Sequence, residues 1–146
     1  ITDHINCTRM KEKLKVLKIL HIALCVGMVL AYVVIGDLKS LAFLVLPELN
    51  TEAIVYICIP IAAIFVGNFL FRSQVDKIDR KKSLEEKIPF YQSAALLRWA
   101  ILEGAAFIIL FIKPDLIILG IFIIAYMIFL HPTEAKIKQD LRHTGR

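Results

Sequence analysis

Arg98 and Glu103 stand five residues apart inside YQSAALLRWAILEGAAFIILFI, residues 91–112, a run long and apolar enough to cross a bilayer as a helix. A charge near the middle of such a helix costs about 2.5–3.5 kcal/mol, so Glu103 is a candidate for exchanging a proton or holding a cation. At about 100° per residue the two side chains point about 140° apart, which rules out the usual i, i+4 pair and gives them separate partners. Counted inward from Phe90 at about 1.5 Å per residue, Arg98 lies about 12 Å deep and Glu103 about 20 Å deep. His21 and Asn68 come to the depth of Arg98, and Tyr91 lies within its snorkelling reach; with Arg98 they form the expected intramembrane polar cluster. Tyr32 and Tyr56 fall nearer Glu103, where a phenol could donate to the carboxyl.

These residues need membrane helices to carry them. The chain has 146 residues, 58% of them hydrophobic, and a mean hydropathy of +0.70, more apolar than one small water-soluble core requires. A hydrocarbon layer about 30 Å thick is spanned by roughly 20 apolar helical residues. Four stretches qualify: 16–35, 53–71, 91–112 and, with its flanks, 114–131. The expected fold is therefore all-α, a single bundle of four transmembrane helices. A loop at 72–90 and a tail at 132–146 would lie outside it.

Charge sets the expected orientation. The N-terminal flank, the 72–90 loop and the tail hold fifteen of the eighteen Lys and Arg residues, against Lys39 and Lys113 in the opposite loops. Positive residues stay on the cytoplasmic side, which predicts both termini in the cytoplasm and a multi-pass protein of the inner, cytoplasmic membrane. The same asymmetry accounts for the net charge of +5 without a nucleic-acid partner; the flanks are suited instead to anionic headgroups of membrane lipids. The first span is longer than a signal-peptide core and reads as a signal anchor.

Chemistry of other kinds finds no support. Cys7, Cys25 and Cys58 have no metal-ligand or CxxC spacing, and His21 and His131 read as boundary residues, so neither metal nor cofactor is expected. No nucleophile stands with a base and no phosphate loop occurs, which argues against an enzyme.

The connections differ in kind. IKPDL, residues 112–116, predicts a tight turn into the last span, with Asp115 at the positive end of the helix dipole. LAFLVLP, residues 41–47, predicts an interfacial or bundle-covering segment before a helix capped by Asn50 or Thr51. Pro89 is expected to restart the chain ahead of the third span, and Ile137 and Leu141 predict a short surface helix in the tail.

Small residues mark where helices approach. Ala94, Ala95 and Ala105 flank the Arg98 face, and Ala100, Gly104 and Ala106 flank Glu103, so close packing is expected at Ala100 and Gly104. That makes the third span the central helix, with the first and fourth facing lipid. Its sequence, with the final span and HPTEAKIKQDL after it, resembles a group of small uncharacterised four-helix membrane proteins of Bacteroidota across residues 88–141. The resemblance implies the four-helix fold and no activity. The expected function is that of a non-catalytic subunit of a homo- or hetero-oligomeric membrane assembly. The alternative is a small proton- or cation-coupled transporter or channel using Glu103.

Overall fold

The computed structural model describes residues 1–143 and is helical throughout: α1 Thr2–Ile35, α2 Thr51–Asp76, α3 Leu84–Ile112, α4 Ile117–Phe129 and α5 Glu134–His143. Arg146, counted among the tail cations, lies outside the described residues. Three helices are long and apolar enough to span a membrane, and a fourth crossing exists if the bent pair at the C-terminal end is one span. Exposed Val, Ile, Leu and Phe side chains cover the bundle, as a lipid-facing surface requires.

α1 is longer than the expected span of 16–35 because its charged flank is also good helix former. Its 34 residues reach about 51 Å, some 20 Å more than the hydrocarbon layer. Leu14, Leu17, His21, Cys25, Met28 and Tyr32 recur every three or four residues and make its buried stripe. α2 turns Ala53, Pro60, Ala63, Gly67, Phe71 and Val75 inward, mostly small residues that bring its backbone close to α3. Asn50 caps it, its side chain accepting from the Ala53 N–H at 2.8 Å.

α3 packs on α1, α2 and α4, while these share much smaller interfaces with one another. It is the axis of the bundle. α2 is peripheral along with α1 and α4, exposing Phe65, Val66 and Phe69, so the lipid-facing set is larger than the first and fourth spans alone.

The start of α3 corrects the role expected of Pro89. The helix begins at Leu84, where Ser83 and Glu86 form a reciprocal capping box, and Pro89 lies inside it. These hydrogen bonds from Ser83, its backbone N–H first, hold the exposed Glu86 carboxyl below the ordinary glutamate range. The box is therefore complete above pH 4.5 and lost as pH falls through the lowered value. Proline has no N–H to give the carbonyl four residues back, that of Glu85. Lys13 Nζ of α1 supplies the missing donor at 3.3 Å.

α4 is shorter than the expected 114–131. With the 3-10 turn Pro114–Leu116 it runs from Pro114 to Phe129, about 24 Å, and α5 then turns away by 86°. Pro132 falls in the break, and Ile137 and Leu141 of α5 are buried against the bundle end. On the opposite side, Leu41, Leu44, Val45 and Leu46 of the 36–50 connection are exposed around two 3-10 turns. Lys113 Nζ meets Glu52 at 3.2 Å there, tying the start of α2 to the turn after α3.

Candidate functional site

The polar residues of the bundle fall into two groups on different sides of α3. The first is built around Arg98. Gly67 of α2 lies beside it, where a Cβ would come into ordinary contact, 3.4 Å from Arg98 Cγ, and the aliphatic stem lies against α2. The guanidinium sits over the Phe71 ring at 3.9 Å and donates from Nη1 to Asn68 Oδ1 at 3.4 Å. Asn68 Nδ2 in turn donates to the Tyr126 hydroxyl of α4 at 2.8 Å. Arg98 Nε is buried with no hydrogen-bond partner, and no carboxylate pairs with Arg98 among the described residues. A cleft of about 670 Å³ opens beside this group, with Arg72 one turn beyond Asn68 along α2 and Asp76 and Asp140 toward its outer end.

The second group joins α1 to the end of α4. The last carbonyls of a helix lack intrahelical donors, and those of α4 are satisfied one by one. Leu130 N–H serves Tyr126, His131 N–H serves Ile128, and Lys136 Nζ reaches Phe129 at 2.9 Å. Met127 accepts from Leu130 N–H and from His21 Nε2 at 2.8 Å. A carbonyl cannot donate, so the proton is on His21 Nε2; its Nδ1 is then the acceptor for His131 Nδ1 at 3.4 Å. The His21 ring also rests on Trp99, 4.7 Å between centroids. The Trp99 indole N–H is buried without a partner among the described residues.

Of the expected cluster, Arg98 and Asn68 meet directly. His21 belongs instead to the α1–α4 junction, and the buried Tyr91 packs edge-on against the Phe71 ring under Arg98 while its hydroxyl donates to Asp140 Oδ2 at 2.8 Å. Glu103 has no hydrogen bond or ion pair among the described residues and is half-buried. Tyr32 does not serve it: its hydroxyl donates to the Ala106 carbonyl, which falls near the same depth but at another angle around α3. Tyr56 makes no hydrogen bond to it either. Nor do Ala100 and Gly104 pack closely within the chain. Both are exposed, and a Cβ on Gly104 would meet nothing within 4 Å. The α3 backbone comes close at Gly67 instead, and the Tyr32 side chain packs directly on Gly120.

Tyr126, His131 and Asp140 were absent from the sequence-derived cluster. Tyr126 carried a usable signal, as the one polar side chain in the α4 run, level with Asn68. Asp140 carried none, because the bend that brings α5 under the bundle is not visible in composition. No group of three or more His, Cys, Asp or Glu residues among the described residues could hold a metal ion. Comparison with protein-family models, with curated proteins and with solved structures finds no match.

Proposed function

We propose that this chain is a non-catalytic subunit of an oligomeric membrane assembly, associating through the face of α3 that carries Ala100, Glu103 and Gly104. The observation that supports it is the state of Glu103: a carboxyl about two-thirds of the way along a spanning helix, half-buried and without a partner among the described residues, between two exposed small residues. Ala100 and Gly104 are spaced four apart, as in the small-xxx-small surfaces that let a second helix approach closely. A donor from that second helix would satisfy the carboxyl. In this reading the basic flanks face the cytoplasm, both termini lie there, and the host membrane is the inner one.

The test is association of the full chain in nanodiscs or in its native membrane, followed by cross-linking and by single-molecule counting. Gly104→Leu should weaken association, and Glu103→Leu should do so about threefold to fifteenfold, the range of interhelical hydrogen bonds in membranes. Glu103→Gln, which keeps an acceptor, should retain most of it. A chain that stays monomeric and copurifies with no other membrane protein overturns the proposal.

The same unpaired carboxyl favours a second reading, in which Glu103 carries a proton or a cation across the membrane. Glu103→Gln would then abolish pH-driven uptake in proteoliposomes while leaving the helices intact. Uptake that is absent in the parent chain, or unchanged in the variant, removes this alternative.

A further inference from the structure

We propose that the cleft between α2, α4 and α5 binds an aminophosphate group, the phosphate and primary amine of a phosphatidylethanolamine-type headgroup. Its volume of about 670 Å³ is within the roughly 300–1,000 Å³ typical of ligand sites. Its charges are ordered along the membrane normal. The inner end presents donors: the Arg98 guanidinium, whose one side-chain hydrogen bond is a long 3.4 Å to Asn68, and the Tyr126 hydroxyl, which accepts from Asn68 and so has its own proton to give. Arg72, one turn beyond Asn68 along α2, adds a second guanidinium. Forked N–H donors of this kind suit phosphate oxygens.

The outer end presents acceptors. Asp76 is the last residue of α2, two turns beyond Asn68. Asp140 is bonded to Tyr91, about 10 Å nearer the start of α3 than Arg98. Two carboxylates at the mouth oppose entry of a simple anion and fit a primary ammonium with its three N–H donors. In a leaflet the phosphate lies deeper than the amine, the same order as the cleft's donors and acceptors. α2 and α4 share only a small interface, which leaves the partly exposed Leu130 at the side of the cleft available to acyl chains. The assignment is independent of Glu103, which lies five residues further along α3 and about 140° around it.

The experiment is native mass spectrometry of the full chain in detergent with phosphatidylethanolamine, phosphatidylcholine and phosphatidylglycerol in equal amounts. Phosphatidylethanolamine should be retained about tenfold over phosphatidylcholine, whose quaternary amine has no N–H to give. Arg98→Gln should lower that retention about tenfold, and Tyr126→Phe, a change of one hydroxyl, should lower it without disturbing the fold. Asp140→Asn should erase the preference for ethanolamine over choline while binding persists. Free phosphoethanolamine that displaces the lipid identifies a soluble aminophosphate as the source; failure to displace identifies the lipid. Equal retention of the three headgroups, or retention unchanged in both Arg98→Gln and Tyr126→Phe, overturns the assignment.

Discussion

Gly120→Ala is expected to destabilise the bundle by roughly 1–3 kcal/mol, a large loss for the removal of one hydrogen atom in favour of a methyl group. A Cβ at position 120 would overlap the hydroxyl and ring of Tyr32, a fully buried side chain of α1. The phenol has nowhere to retreat, because its hydroxyl is committed to the Ala106 carbonyl of α3. α1, α3 and α4 thus meet at one point, and overpacking it separates all three. The measurement is the unfolding midpoint in detergent micelles. Gly120→Ala combined with Tyr32→Leu should lose less than the two single changes summed, the mark of residues in contact. A Gly120→Ala chain within about 0.5 kcal/mol of the parent would mean that Tyr32 does not cross over α4 there.

His21→Ala is expected to cost about 2–4 kcal/mol, for a different reason. The ring fills the space beside Trp99, and its Nε2–H satisfies a carbonyl at the end of α4. Truncation leaves a cavity and an underused acceptor together. His131→Ala should cost less, since that ring is only partly buried and its contact with His21 is a long 3.4 Å. Thermal midpoints of the two variants decide the order, and nitrogen-15 shifts of the parent should find the His21 proton on Nε2. Equal losses, or a proton on Nδ1 alone, would contradict the junction described here.

Much of the fold is legible in the sequence because hydropathy reports length. The runs at 16–35 and 53–71 lie within α1 and α2, and the tail helix follows from Ile137 and Leu141. What hydropathy does not report is where a helix continues through polar residues, so the charged flank of α1 and residues 84–90 of α3 went unassigned. Ser83 and Glu86 carried that information, but Pro89 argued against it. A proline six residues into a helix is tolerable when another group takes the freed carbonyl, and Lys13 does so from 72 residues away in sequence. The candidate site divides along similar lines. Depth along a helix is countable, and it matched Arg98 to Asn68. Angle around the helix depends on how neighbours are placed, and it sent Tyr32 to Ala106 rather than to Glu103. Ala100 and Gly104 had the composition of a packing face, yet both are exposed, and among the described residues nothing comes within 4 Å of a Cβ on Gly104.

Trp99 is the only tryptophan in the chain, and it lies 1% exposed where α3 supports the His21 ring. Intrinsic fluorescence of the unlabelled protein therefore comes from one indole at the heart of the molecule, screened from both solvent and acyl chains. Its emission should be blue-shifted and largely insensitive to quenchers dissolved in water. Lipid binding, subunit association or any relative sliding of the first and fourth helices could be followed optically, with no engineered probe.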